Sequence, residues 1–272
     1  MTKYELLSKT DHENLRFTPA SNFEFAKGES VVSIGVSEVP YLAKDVPIVF
    51  VKNKNNTFSL NVMFGLIPGE NKLINDAGKL LLPYAPAILR CYPFKLIKLK
   101  SKSDDTKNHS VLGFYNDTAY FSTNPSENNF AVFDNDKNIN EHLASINKLL
   151  SALTTEFERA SAMIEEIAEL DILTEIDIAE KSGQKKRLKN IFTVNEEKFH
   201  GINGKDLKKL NKNNSLDLIF YQKHSLLNFR NLLKNNDALG ISSRDSVIRA
   251  NKEKKDTEIN DLVQDLLIGN ED

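Results

Sequence analysis

The spacing of apolar residues divides the chain into a β-rich first part and a helical second part. Before residue 133, short segments rich in Val, Ile and Phe alternate with turn formers, a pattern typical of β-strands. The Asn-rich stretch 53–56 between two of these segments predicts a hairpin turn. Seven of the eight prolines precede residue 100, so long helices are not expected there. The predicted strands cover residues 30–36, 48–52, 58–65 and 95–99, with one or two more within 111–121.

From residue 138 the apolar spacing changes to alternating steps of four and three. The stripe consists of Ile139, Leu143, Ile146, Leu150, Leu153, Phe157, Ala160, Ile164 and Ile167. It predicts one helix over residues 139–170, about 48 Å long at about 1.5 Å per residue. Asn138 and Glu141 resemble a capping box at its start. Either this helix packs on the N-terminal sheet or on later helices, or it forms a coiled coil with a second copy.

Further elements follow a short break at residues 182–183. We expect a short strand at 191–194, a turn at 195–199, a short helix at 204–211 and a helix at 216–233. The last of these has a wide apolar face, which predicts burial by several neighbours. The resulting fold class is α+β. Residues 1–133 form the β-rich part, residues 134–238 a helical part packed on it as one unit, and residues 239–272 a flexible tail.

The tail is mostly polar but contains one helical pattern. Its apolar residues stand at i, i+3, i+4, i+7 and i+8 and predict a short amphipathic helix that docks on a partner. These residues are Ile259, Leu262, Val263, Leu266 and Leu267.

Composition narrows the class of protein. The chain has 272 residues, of which 40% are hydrophobic and 27% charged, as in ordinary globular proteins. One cysteine excludes an internal disulfide framework. The longest apolar stretch, residues 80–89, contains two prolines and is too short to span a bilayer. The first eight residues lack the apolar run of a secretory signal, so we expect a cytoplasmic protein, with signal-independent export to the cell surface as the alternative.

The net charge of −2 hides large local differences. Residues 134–180 carry 12 acidic and 3 basic side chains, and residues 181–235 carry 4 acidic and 13 basic ones. The two segments either fold against each other or leave an anion-binding patch on the basic one. Nucleic acid is not an expected partner, because no aromatic residues are interleaved with the charges. The candidate anion patch consists of Lys185, Lys186, Arg187 and Lys189.

Catalytic signatures are missing from the sequence. It contains no glycine-rich phosphate loop, no HExxH and no GxSxG, and its five histidines are dispersed. Cys91 follows Arg90, a cation that could lower the thiol pKa, but a lone cysteine is usually a small core residue. We therefore predict no catalytic residue, cofactor or metal ligand.

Three proline-containing blocks form the most distinctive local pattern, at residues 38–50, 65–71 and 84–94. Together with Phe133-Asp134 and the segments 169–173, 194–199 and 225–228, they resemble the SapC family of bacterial proteins, named after a surface-layer component. The resemblance covers roughly residues 5–235. It departs from the family near residues 80–82, where members often carry Trp. The peptide-transporter permease of the same short name is excluded by the absence of long apolar segments.

The resemblance implies a bacterial cell-surface or nutrient-uptake setting and no particular catalytic activity. On physical grounds, the proline-rich blocks suit a rigid surface that presents polar side chains from turns. The candidate ligand-binding residues there are Glu38, Asp45, Glu70, Arg90 and Tyr92. Alternatively, Arg90 pairs with a carboxylate only to fix the fold.

Three hypotheses of function follow. The first is a non-catalytic accessory or structural protein that binds a partner protein through the proline-rich surface and the tail. The second is an enzyme or ligand-binding protein for peptide or amino-acid derivatives, which requires a pocket around Glu38, Glu70 and Arg90. The third is a subunit of a surface layer or virus particle, and it would form homo-oligomers.

Overall fold

The computed structural model describes residues 4–100, 108–117, 119–179 and 185–234. Within these ranges the chain forms helices and antiparallel sheets, so the α+β class is confirmed. The strands are β1 (Tyr4–Leu6), β2 (Arg16–Phe17), β3 (Val31–Ser33), β4 (Ile48–Lys52), β5 (Phe58–Met63), β6 (Phe94–Lys100), β7 (Asn108–Tyr115), β8 (Phe121–Ser122), β9 (Phe130–Ala131), β10 (Leu173–Ala179) and β11 (Lys185–Val194). The α-helices are α1 (Val39–Leu42), α2 (Ala87–Arg90), α3 (Glu141–Glu169), α4 (Glu196–His200), α5 (Gly204–Lys212), α6 (Ser215–Ser225) and α7 (Phe229–Lys234).

The largest sheet contains five strands in the order β10-β11-β4-β5-β3. The β4–β5 hairpin is confirmed, since Lys52 lies opposite Phe58 and the Asn53 N–H donates to the Thr57 carbonyl at 2.8 Å. β11 joins this sheet by pairing Phe192 with Phe50. The sheet therefore combines strands from both sides of residue 133.

Two smaller sheets have the orders β1-β7-β6 and β8-β2-β9. Aromatic residues of both pack into a second core, where the Phe17 ring meets Phe94 edge-on at 5.0 Å. Strand β3 ends earlier than predicted, because residues 36–38 form a 3₁₀ turn instead.

Helix α3 joins the two cores. Leu143, Leu150 and Leu153 on its first half belong to the core around Phe94. On its second half, Ile164 and Ile167 belong to the core of the five-stranded sheet, together with Ala160 and Met163. The predicted apolar stripe is thus buried inside the chain, which confirms the interpretation that the helix packs on the N-terminal sheets.

The start of α3 differs from the predicted one. The cap is Asn140, whose side-chain oxygen accepts the Leu143 N–H at 2.8 Å. Asn138 lies in the preceding turn, where its N–H donates to the Asp134 side chain at 2.8 Å. Both asparagines precede the apolar stripe, so the sequence alone does not distinguish them as caps. In the structure Asn138 belongs to the turn formed by Asp134, and Asn140 caps the helix.

Two predictions in the C-terminal part are wrong in detail. The expected turn at 195–199 is helix α4, capped by the Asn195 side chain, which accepts the Lys198 N–H at 3.0 Å. The expected helix 216–233 is divided by a 3₁₀ turn at 226–228. The Ser225 hydroxyl accepts the Ile48 N–H at 2.8 Å, and Asn228 donates to the Ala43 carbonyl at 2.9 Å. These bonds tie the break to β4 and to the end of α1.

The acidic and basic segments contact each other, as one of the two interpretations expects. Lys209 lies 3.6 Å from Glu166 and 3.4 Å from Glu169, and Lys198 lies 2.6 Å from Asp171. The pairs with Glu169 and Asp171 are exposed and contribute only about 0–1 kcal/mol each, whereas Glu166 is buried. Of the helices within the described ranges, none combines the length and the apolar character needed to cross a bilayer.

Candidate functional site

A buried carboxylate joins two of the proline-containing blocks. Glu38 ends the 3₁₀ turn before α1 and is 3% exposed. One of its oxygens accepts the Gly35 N–H at 2.8 Å. The other accepts the Ala87 N–H at 2.7 Å and the Tyr84 hydroxyl at 3.1 Å. Hydrogen bonds to a charged group are stronger than neutral ones, so Glu38 fixes residues 84–87 against the turn before α1.

Three side chains lie outward from Glu38, and we call them the Tyr–Arg surface: Tyr41, Tyr84 and Arg90. The Tyr41 and Tyr84 rings stack with centroids 5.2 Å apart, and Tyr41 is 58% exposed. The Arg90 guanidinium lies over the Tyr84 ring, 5.6 Å from its centroid. Burial raises the pKa of Tyr84, and the Glu38 carboxylate raises it further. Tyr84 is therefore a hydroxyl donor at neutral pH.

Arg90 is exposed, and its guanidinium donates to the Tyr84 hydroxyl at 3.5 Å. Among the described residues, no carboxylate lies within 4.0 Å of its guanidinium. The alternative in which Arg90 pairs with a carboxylate to fix the fold is not what this part of the structure shows. The guanidinium can therefore donate hydrogen bonds to a carboxylate of another molecule.

Tyr92 belongs to a different environment. Its ring lies 3.8 Å from Phe25 in a parallel stack and 5.8 Å from Tyr115. Desolvation raises the pKa of Tyr92 to about 12, and the charge of Asp117 adds to this. Tyr92 therefore contributes an aromatic surface and a neutral hydroxyl.

The two remaining candidates stand apart from the Tyr–Arg surface. Asp45 follows α1, with one side-chain oxygen buried and without a hydrogen-bond partner in the described part of the chain. Glu70 forms an ion pair with Lys72 at 3.0 Å in the loop after β5. Neither shares a hydrogen bond or ion pair with Glu38 or Arg90 within the described ranges.

Cys91 is fully buried, and burial raises its pKa to about 11 despite the neighbouring Arg90. The thiol is protonated at neutral pH, as expected of a core residue. The described residues also contain no group of three or more His, Cys, Asp or Glu side chains placed to hold a metal ion.

The candidate anion patch lies on β11. Lys185 and Lys186 stand opposite Ala179 and Ile178 of β10. Arg187 is engaged within the chain, since its guanidinium donates to both Asp177 oxygens at 2.9 and 3.2 Å. These hydrogen bonds raise the pKa of Arg187. The candidate docking residues of the tail, 259–267, lie outside the described residues.

The grooves that the described residues form include the following three. The central groove, between β3, β6 and α3, has a volume of about 780 Å³ and includes Tyr92 in its wall. A groove of about 490 Å³ lies between β10 and α6, and one of about 220 Å³ includes Arg90 and Tyr92. Glu38, Asp45 and Glu70 line none of the three. No sequence signal marked the central groove, because its walls come from distant segments.

Fold and site together define an α+β protein that presents stacked aromatic and arginine side chains on its surface. The SapC family model matches residues 7–232. The chain belongs to the SapC family, and the Glu38–Ala87 hydrogen bond joins two of the sequence blocks that indicated it. Comparisons with curated proteins and with solved structures find no match.

Proposed function

We propose that this protein is a non-catalytic accessory protein of a bacterial cell-surface or nutrient-uptake system and acts by binding a partner protein. The observation that carries the proposal is the Tyr–Arg surface, an exposed stack fixed from below by the buried Glu38. Tyr and Arg are enriched among the residues that contribute most to protein–protein affinity. Because Glu38 holds Tyr84 in place, little side-chain freedom remains to be lost on binding.

The charge of Arg90 specifies the partner. Its guanidinium has no carboxylate partner among the described residues and lies on an aromatic ring. A partner segment with an Asp or Glu side chain supplies the missing charge, and an apolar or proline residue beside it packs on the exposed Tyr41 ring. The tail, residues 239–272, is proposed as a second contact with the same partner.

The proposed cell-surface or nutrient-uptake system is supported by family membership alone. We propose that the protein resides in the cytoplasm, with delivery to the cell surface as the alternative. Fractionation of cells that express the chain with and without residues 240–272 tests both. Sedimentation across a range of concentrations tests the surface-layer or particle alternative, which requires self-association.

An enzyme or small-ligand protein receives less support from the geometry. The pocket that this alternative needs around Glu38, Glu70 and Arg90 is not among the three grooves, because Glu38 is buried under Tyr84 and Glu70 lies in another loop.

A site-specific cross-linking experiment tests the proposal. The photoreactive residue p-benzoylphenylalanine replaces Tyr41 in cells of the source organism, and in a control strain it replaces Tyr221, which is exposed on α6. The proposal predicts one adduct from position 41 that position 221 does not give. That adduct is identified by mass spectrometry, and the purified partner is then shown to bind. Identical adducts from both positions, or none from position 41, would contradict the proposal.

A further inference from the structure

Two sheets end beside each other across the central groove. β3 is the edge strand of the five-stranded sheet, and β6 is the edge strand of the sheet β1-β7-β6. Residues of both strands line the groove, and α3 lies along it. Edge strands present unpaired backbone groups that can template the addition of another strand.

The groove follows the edges of these strands rather than a face of either sheet. Its lining includes three successive residues of β3, Val31 to Ser33, and three successive residues of β6, Phe94 to Leu96. Successive side chains of a strand point to opposite faces, so a groove on one face would meet only alternate residues. The backbone itself is therefore accessible from the groove.

The hydrogen-bond ladder shows which groups of β3 face the groove. The Ile34 N–H donates to the Leu60 carbonyl of β5 at 3.0 Å, and the Ser30 carbonyl accepts the Phe64 N–H at 2.8 Å. Residues 30, 32 and 34 thus face β5. Alternation turns the N–H and carbonyl groups of Val31 and Ser33 away from β5, toward the groove.

The backbone groups of β6 alternate in the same way. The Pro93 carbonyl accepts the Tyr115 N–H at 2.9 Å, so residues 93, 95 and 97 face β7. Leu96 and Lys98 then direct their backbone groups away from β7. Within the described ranges, no backbone hydrogen bond uses the outward groups of these two residues or of Val31 and Ser33.

Both strands approach the same turn of α3. The N–H of Ser37, shortly after β3, donates to Glu156 at 2.8 Å, and Lys98, near the end of β6, lies 2.6 Å from Glu158. The N-terminal ends also correspond, because the Phe25 ring, before β3, stacks on the Tyr92 ring, before β6, at 3.8 Å. β3 and β6 therefore run in the same direction along the groove. A single inserted strand can pair with both edges in one orientation.

The floor and walls of the groove are mainly apolar. One face of α3 supplies Leu150, Leu153 and Phe157, and the walls add the rings of Phe25 and Phe58. An inserted strand places every second side chain over this floor. The occupant therefore needs apolar residues at alternate positions.

Charge adds a second requirement. The Lys95 ammonium lies 4.5 Å from the Tyr4 ring centroid and 5.3 Å from that of Tyr115, and it has no carboxylate partner among the described residues. Lys98 is already paired with Glu158. An acidic residue of the occupant beside Lys95 supplies the missing charge.

We propose that the central groove binds an extended segment of a partner protein, with alternate apolar residues and one acidic residue. The segment adds as a strand between β3 and β6 and joins the two sheets. None of Tyr41, Tyr84 and Arg90 lines this groove, so the site goes beyond the proposed function and is tested separately.

The probe is a displayed library of ten-residue peptides with Val, Ile, Leu or Phe at alternate positions and one Asp or Glu. The best binder is synthesised and titrated against the full chain. It is then remade with backbone N-methylation at odd positions or at even positions, which removes N–H donors and keeps every side chain. Insertion between two edges predicts at least a tenfold loss of affinity from either set, because one set faces β3 and the other faces β6.

A matched pair of protein variants locates the site. Thr154 lines the groove and Ser151 is exposed one turn earlier, and both hydroxyls donate to the carbonyl four residues before them. Thr154→Trp fills the groove and is expected to weaken binding at least tenfold, whereas Ser151→Trp leaves it unchanged. Circular dichroism checks that both variants fold.

Several results would overturn the proposal. They are a library without a binder below about 100 µM, binding that N-methylation does not affect, and binding that Thr154→Trp leaves intact. Tight binding of dodecanoate with loss on Thr154→Trp, and no peptide binding, would assign the groove to a small apolar ligand instead. None of these results depends on Arg90, so they leave the proposed function unaffected.

Discussion

Replacement of Glu38 tests the physical basis of the Tyr–Arg surface. In Glu38→Ala, the buried N–H groups of Gly35 and Ala87 lose their acceptor, and so does the Tyr84 hydroxyl. An unsatisfied buried donor costs about 1–3 kcal/mol, so the two backbone groups together cost roughly 2–6 kcal/mol. Against a total stability of about 5–15 kcal/mol, this loss is large.

Glu38→Gln separates charge from shape. The amide keeps one acceptor oxygen, but its NH₂ group cannot accept the second N–H, so a loss of about 1–3 kcal/mol is expected. Glu29→Ala is the control, because Glu29 is exposed and forms no ion pair within the described part of the chain. It should change stability by less than about 0.5 kcal/mol.

The assay for these variants is urea unfolding at pH 7, followed by circular dichroism and by tyrosine fluorescence, since the chain has seven Tyr and no Trp. The free energy of unfolding should fall in the order Glu29→Ala, Glu38→Gln, Glu38→Ala. If Glu38→Ala costs less than about 1 kcal/mol, or costs no more than Glu29→Ala, the role assigned to the carboxylate is refuted.

Three further predictions concern single side chains. Cys91, with a pKa raised to about 11, should react with a thiol reagent at pH 8 much more slowly in the folded protein than in guanidinium; equal rates would contradict its burial. The raised pKa of Tyr92 means that its folded form favours the neutral hydroxyl, a contribution present below about pH 10 and lost as the pH rises toward 12. Tyr92→Phe should therefore lose less stability than the wild type between pH 9 and 12, and parallel profiles would count against this. Asn140→Ala should lower the free energy of unfolding by about 1 kcal/mol, because it removes the cap of α3, and Asn138→Ala should lower it less. Thermal unfolding measures both losses. A larger loss for Asn138→Ala would indicate that Asn138 is the cap.

Local patterns predicted the elements that local interactions determine. The β4–β5 hairpin follows from its turn residues, and the body of α3 follows from the apolar stripe that begins at Ile139. β10 was missed, although Ile176 and Ile178 alternate with Glu175 and Asp177 as in a half-buried strand. The break in the last long helix was also missed, because Ser225 bonds to a strand 177 residues earlier in the chain.

The candidate site could be predicted only in part, for the same reason. The proline-containing blocks include Glu38 and Arg90, and Tyr84 connects these two side chains in the structure. Nothing in either block shows that Glu38 is buried, because its partners Tyr84 and Ala87 lie in a segment that meets it only after folding. The central groove could not be predicted from the sequence, because its walls come from β3, β6 and α3, which are distant from one another along the chain.

The most direct test of the account is the affinity of the cross-linked partner for Arg90→Ala, measured by isothermal titration calorimetry with purified proteins. The control is Arg159→Ala, which removes an exposed arginine of α3 that lies 3.8 Å from Glu156. Arg90→Ala is expected to weaken binding at least tenfold, or about 1.4 kcal/mol, and Arg159→Ala is expected to leave it unchanged. Equal affinity of Arg90→Ala and the wild type would contradict the claim that this protein acts through its Tyr–Arg surface.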